Sequence, residues 1–144
     1  REQDNGLSKK GKKQAEKILD FYKLRYGKTS PALYSSAKLR CVETIEPLAD
    51  KYGVQIEASP LLMEQGGLDP QEDSGELLSR VKEFVALWKK SEAEVTVACT
   101  HGDWIPVFAQ AYFNSNTELK KGGWFEASLI DKQTVLTWVV QEFF

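Results

Sequence analysis

Two short stretches hold the residues best suited to chemistry. Thr100-His101-Gly102 contains the only histidine of the chain. It stands where Val95 to Cys99, a run of β-branched and small apolar residues, gives way abruptly to polar ones. That run is too short for a buried helix and has the length of a strand covered on both faces. Open α/β sheets bind ligands outside the carboxyl ends of their strands. The second stretch, Ser35-Ser36-x-x-x-Arg40-x-x-x-Thr44, follows the apolar segment Ala32-Leu33-Tyr34 and opens a helix with Lys38 and Arg40 in its first turn. Cations at a helix amino terminus cost about 0.3–1 kcal/mol each unless something offsets them. A docked anion would offset both, with the planar guanidinium as a bidentate donor to phosphate oxygens. The alternatives are long side chains swung into water and a histidine that merely packs at a strand end. If both strands lie in one parallel sheet, Arg40 and His101 face the same crevice. A phosphoryl group is the natural occupant, because its charge calls for Arg, His and helix amino termini together.

The elements that must position these residues follow from periodicity and punctuation. Arg1 to Gly6 is polar and read as loop. Ser8 is the N-cap of a helix whose stripe is Ala15, Ile18, Leu19, Tyr22 and Tyr26, closed by Gly27. The helix after Ser36 turns Leu39, Val42, Ile45, Leu48, Ala49 and Tyr52 inward and ends at Gly53, with Pro47 expected to kink or break it. Val54 to Glu57 alternates as an edge strand does, and Ser59-Pro60 stops it. Leu61 to Ser74 has Gly66, Gly67 and Pro70 and no period, which marks a surface loop. Ser74 is expected to cap a helix carrying Leu77, Leu78, Val81, Phe84, Val85 and Trp88 as a core stripe. After His101, Asp103 is the expected cap of a further helix that tolerates Pro106 in its first turn. Trp124 to Ile130 and Thr134 to Val140 form a hairpin through Asp131-Lys132-Gln133. For Trp104 and Trp124, core or hairpin packing outweighs a place at a pocket rim. The fold class expected is α/β: a three-layer sandwich with a mostly parallel central sheet, helices on both faces and a C-terminal antiparallel hairpin.

At 144 residues the chain is read as one domain, large enough to bury roughly two thirds of its unfolded surface. A net charge of −2 with 28% charged residues argues against a nucleic-acid or membrane-surface partner, which would call for a basic face. The local exception, Lys9, Lys10, Lys12 and Lys13, is read as a solvated helix start, with a role in steering an anion as the alternative. Cys41 and Cys99 have no metal-ligand spacing and no disulfide framework, so a reduced, cytoplasmic protein without a metal is expected. No apolar run is long enough to span a bilayer. Oligomeric state is left open.

In four pieces taken in order, the sequence resembles the histidine phosphatase, or phosphoglycerate-mutase-like, superfamily. The pieces are Leu7-Ser8-x-x-Gly11-x-x-Gln14-Ala15, Ser35-Ser36-x-x-x-Arg40-x-x-x-Thr44, the helix with Arg80-Val81 and Phe84, and the strand ending in His101-Gly102. Short length and the terminal hairpin make it most similar to the small phosphohistidine phosphatases. The resemblance implies that Arg40 holds phosphate and that His101 stabilises the transferring phosphoryl group, with Ser36 and Gly102 beside them in the substrate pocket. It also implies that Glu64 stands where many members carry the acid that protonates the leaving oxygen; a plain surface glutamate is the alternative. The implied activity is metal-independent and cofactor-free hydrolysis of a phosphorylated small molecule or phosphoprotein. A mutase role fits less well, since mutases of this kind carry longer shielding insertions.

One departure stands out. The family's nucleophilic histidine lies in an Arg-His-Gly or Arg-His-Ala motif on a strand that precedes the Leu-Ser-x-x-Gly stretch, and residues 1–144 contain neither. In the family that strand is expected between the strands that end at Ser35 and His101. Its absence there would leave buried N–H and C=O groups unpaired at about 1–3 kcal/mol each, against a total stability of about 5–15 kcal/mol. A strand with the nucleophile is therefore expected upstream of Arg1. The alternative is a catalytically inactive pseudophosphatase that binds phosphorylated ligands with Arg40 and His101.

Overall fold

The computed structural model describes residues 4–143, so Arg1 to Gln3 of the expected loop lie outside the described residues. Helix α1 (Lys9–Tyr26) begins where the Ser8 hydroxyl accepts the Gly11 N–H at 3.1 Å and ends at Gly27, whose φ of 60° suits glycine. Strand β1 (Ala32–Ser35) leads to α2 (Leu39–Tyr52), β2 (Ile56–Ala58) and a short 3-10 turn (Pro60–Leu62). Helix α3 (Ser74–Lys90), β3 (Thr96–Cys99), α4 (Trp104–Phe113) and the hairpin β4 (Trp124–Ile130) and β5 (Gln133–Val140) complete the chain.

The central sheet is parallel in the order β2-β1-β3, and the antiparallel hairpin forms a separate two-stranded sheet. Helices cover both faces because β1 alternates. Leu33 packs with Ile18 and Tyr22 of α1, Ile45 and Leu48 of α2, and Val97 of β3. Tyr34 joins the opposite cluster of Leu62, Leu77, Val81, Phe84 and Trp104, between the sheet and α3 and α4. The hairpin is fastened to α1 by buried Glu126, which accepts hydrogen bonds from Arg25, from Tyr26 at 2.6 Å and from Thr137 at 2.9 Å. Burial opposes the charge on Glu126, but these donors outweigh it and take the carboxyl down to about 2. Among the described residues no helix is long and apolar enough to cross a membrane.

Several local expectations are corrected. The cap of α3 is Asp73, whose carboxylate accepts the Glu76 N–H at 2.8 Å, with Ser74 the first helical residue. Asp103 makes no capping bond; its Oδ2 accepts the Gln65 N–H at 2.9 Å instead. Helix α2 continues through Pro47, held by Ile45 and Leu48 in the core, while Leu39 is 42% exposed and Cys41 takes an inward position.

The larger correction concerns sheet order. Strands β1 and β3 pair directly, from Ala32↔Thr96 to Ser35↔Cys99, and the Ser36 N–H reaches the Cys99 carbonyl at 3.1 Å. A continuous ladder leaves no room for a strand between them. The open edge is on the other side of β3, which faces β4 across a cavity of about 470 Å³ lined by Thr96, Val97, Ala98, Phe125, Glu126 and Ala127. Strand β3 is accordingly not covered on both faces. Ala98 is exposed, and the buried Thr96 hydroxyl has no hydrogen-bond partner among the described residues.

Candidate functional site

Because β1 and β3 run parallel and in register, Ser36 and Thr100 leave the sheet at the same level. A second cavity, of about 740 Å³, opens there, with Arg40, Cys41, Glu64, Cys99, His101 and Gly102 in its wall. His101 is 8% exposed and held from two sides. Its Nε2 lies 2.8 Å from the Ser36 hydroxyl and 3.7 Å from Cys41 Sγ, while Nδ1 is 3.9 Å from the Glu64 carboxylate. Ser36 is itself fully buried.

Arg40 projects from the first turn of α2. Its Nη2 is 3.5 Å from Glu64 Oε2, at the long limit of an ion pair, and its buried Nη1 has no partner among the described residues. A guanidinium whose donors are desolvated but unpaired is under-satisfied, and an anion in the cavity would correct that. The helix terminus itself is partly taken: Asp4 Oδ1 accepts the Leu39 N–H at 2.8 Å, so the expected docking of an anion on that N–H gives way to a carboxylate of the chain. Gly102 has open space where a Cβ would stand and lines the cavity.

Glu64 reaches this wall because the loop that carries it is clamped. The Arg80 guanidinium donates to the carbonyls of Pro60, Leu61 and Met63 at 2.9–3.1 Å, and to that of Glu64 at 3.3 Å. It also holds Glu72 through two bonds of 2.6 and 2.8 Å. The Thr100 hydroxyl donates to the Leu62 carbonyl at 2.6 Å, tying the same loop to the end of β3. Trp104 supports it from below, buried in the core with Nε1 on the Leu61 carbonyl at 2.8 Å. Trp124 packs edge-on against Phe21 and borders the slot between β3 and β4. Neither tryptophan lines the larger cavity.

Three features had no local signal strong enough to find them. Cys41 and Cys99 both line the cavity wall; interaction with Cys99 pushes the Cys41 thiol down, and interaction with Cys41 together with burial pushes the Cys99 thiol up. Lys120 and Lys121 line the same cavity as Lys10, although they are far in sequence from the Lys9 to Lys13 run. The role of Arg80 depends on a backward reach to a loop about 20 residues upstream. Among the described residues no group of three or more His, Cys, Asp or Glu side chains is arranged to hold a metal ion.

Residues 1–68 match the family described as the histidine phosphatase superfamily, branch 1. Along the full chain, the structure is similar to a mycobacterial glucosyl-3-phosphoglycerate phosphatase, with a TM-score of 0.75 at 17% identity over 96% of this chain and 89% of that one. The chain carries the histidine phosphatase fold. A putative alpha-ribazole-5'-P phosphatase from Escherichia coli shares the fold with a TM-score of 0.76 at 14% identity, over 95% of this chain and 84% of that one. So does a mutant phosphoserine phosphatase from Entamoeba histolytica in complex with phosphoserine, with a TM-score of 0.73 at 17% identity over 95% and 85%. No curated protein sequence matches the chain significantly. The family match contains Ser36, Arg40 and Glu64, whereas His101 lies beyond it and enters the histidine phosphatase fold through the structural likeness.

Proposed function

We propose that the protein is a metal-independent phosphatase that binds the phosphoryl group of its substrate between Arg40 and His101. The observation that carries this reading is the buried Arg40 Nη1, unpartnered among the described residues, in an open cavity that His101 also lines. Ser36 holds His101 Nε2, and Glu64 stands within 3.9 Å of both Arg40 and His101, at the edge where a leaving group would depart. Gly102 keeps the wall open. The names of the similar proteins favour small phosphorylated molecules as substrates; phosphoproteins remain in the same chemical class.

The proposed chemistry passes through a phosphohistidine. An imidazole nitrogen forms a bond to phosphorus as the bond from phosphorus to the leaving oxygen breaks, and protonated Glu64 gives that oxygen its proton. Water then attacks phosphorus, the phosphorus–nitrogen bond breaks, and Glu64 takes the water's proton. Arg40 and His101 hold the charge that builds on the phosphoryl oxygens. The nucleophile is proposed to sit on a strand upstream of residue 1 that fills the slot between β3 and β4. Support comes from the free edges of both strands, the orphan Thr96 hydroxyl and the exposed Ala98. Ala98, Ile105 and Gly123 line both cavities, so a strand in the slot would end beside His101.

The test is phosphate release by the protein expressed with the coding sequence that precedes Arg1. Glu64→Gln is expected to slow hydrolysis of a phosphomonoester by about 10²–10⁴-fold, because an alkoxide needs a proton to leave. Hydrolysis of a phosphoramidate such as phosphohistidine should fall far less. Equal rates on the ester for both proteins would remove Glu64 from the reaction. Tight phosphate binding with no turnover of either substrate would leave a phosphate-binding pseudophosphatase.

A further inference from the structure

At about 740 Å³ the cavity has the size of a site for a whole small molecule, well beyond one phosphoryl group. Arg40, Glu64 and His101 account for part of its wall. Another part is basic, with Lys10 from α1 and Lys120 and Lys121 from the connector between α4 and β4. That connector is fixed against α1. The Gly123 N–H reaches the Lys120 carbonyl at 2.9 Å and Gly122 has a φ of 78°, which makes Lys120 to Gly123 a tight turn with Lys121 at its corner. A Cβ on Gly122 would stand 3.0 Å from Gln14 Oε1, so the turn lies on the buried Gln14 side chain. Lys10 is four residues before Gln14 in α1 and shares its face of the helix. The carboxylates of the wall are Glu64, which faces Arg40 and His101, Asp103, which accepts the Gln65 N–H, and Glu142. Among the described residues none of the three lysines has an ion-pair partner. Glu142 is the one carboxylate of the wall without a contact of its own, one negative charge against three positive.

We propose that Lys10, Lys120 and Lys121 bind a second anionic group of the substrate, a carboxylate or a second phosphate, so that the protein selects phosphorylated molecules that carry two anionic groups. This deepens the phosphatase reading above and rests on it. Ammonium groups on flexible stems suit the task, because they follow a point charge without imposing the planar geometry of a guanidinium. The three side chains are exposed and stay hydrated until a ligand arrives. Each therefore contributes modestly, and their joint effect is screened by salt. Selection among substrates then depends on α1 and the Lys120 to Gly123 turn, while the phosphoryl group is held by α2 and the end of β3.

The experiment is titration calorimetry at low salt on the protein expressed with the coding sequence that precedes Arg1, using phosphonates that cannot be hydrolysed. The probes are alkylphosphonates, their ω-carboxyalkyl counterparts and the matching bisphosphonates, in propyl and hexyl lengths, with inorganic phosphate alongside. At one length or both, a probe with a second anionic group is expected to bind about 10-fold more tightly than the plain alkylphosphonate. A gain with the carboxylate, with the second phosphonate or with both tells which group the lysines take. Combining Lys10→Gln, Lys120→Gln and Lys121→Gln should bring that affinity ratio close to 1. If the triple variant does not fold, each single variant should lower the ratio by about 2-fold. Neutralising Lys12, Lys13 and Lys17 instead, exposed lysines of α1 outside the cavity wall, should leave the ratio as in wild type. No gain from either second anionic group, or a gain that survives loss of the three lysines, or one that the control variant loses equally, would overturn the proposal. Failure of the phosphatase reading looks different: wild-type protein would then bind neither inorganic phosphate nor the plain alkylphosphonate, and both readings would fall together.

Discussion

Arg40→Ala is expected to weaken binding of inorganic phosphate or orthovanadate by at least about 100-fold while leaving the fold intact. Hydrogen bonds from a charged donor contribute about 1.5–3 kcal/mol each, and a guanidinium can place two on one phosphoryl group. Loss of both corresponds to about 3–6 kcal/mol, two to four decades in affinity. The fold should survive because, among the described residues, the one partner of the guanidinium is Glu64 at 3.5 Å and its Nη1 has none. Arg40→Lys should recover part of the affinity through charge but not the bidentate geometry. Titration calorimetry with a parallel unfolding curve separates the two effects. Unchanged phosphate affinity in Arg40→Ala would remove this residue from the site.

The second large effect is expected at Arg80. Its side chain is 16% exposed, that of Glu72 is 10% exposed, and six hydrogen bonds join it to the loop and to Glu72. Arg80→Ala strands a buried carboxylate and removes a donor from four carbonyls. Breaking such a pair from one side costs about 3–5 kcal/mol, so the melting temperature should fall by roughly 10 °C or more. Arg80→Lys cannot span the same acceptors and should recover little. The arginine hydrogen bonds hold the Glu72 carboxyl below its usual range. A lowered folded-state pKa stabilises the protein above the ordinary carboxylate range, and that contribution is lost as pH falls through the folded-state value. Denaturant unfolding from pH 6 downward should therefore lose stability in wild type, and lose less of it in Arg80→Ala. A melting temperature unchanged by the substitution would show that the clamp contributes nothing to the loop.

What could be read before the structure depended on whether the signal was local. The α3 stripe of Leu77, Val81, Phe84 and Val85 recurs at helical spacing, and all four are buried. The strand ending before His101 was legible because β-branched residues stop at a polar boundary. The cap of α3 was misplaced by one residue because Asp73 and Ser74 are both good capping residues, and only the Glu76 N–H decides between them. Asp103 looked like a cap for the same reason, but the Gln65 N–H competes for its carboxylate across the fold. Strand order has no local signal. The direct pairing of β1 with β3, and hence the position of the open slot beside β4, depends on which edges meet in space. That Cys41 and Cys99 line one cavity is equally invisible, since one lies in the first turn of a helix and the other at the end of a strand 58 positions on.

On the proposed mechanism, phosphoryl transfer at the Arg40–His101 cavity passes through a histidine on a strand in the slot between β3 and β4. Its most direct measurement is intact mass and peptide mapping of protein quenched in base during turnover of a phosphomonoester, expressed with the coding sequence that precedes Arg1. The expected result is a phosphoryl adduct on a histidine of that upstream segment, absent in Arg40→Ala. Turnover with no adduct, or an adduct on His101 itself, would contradict it.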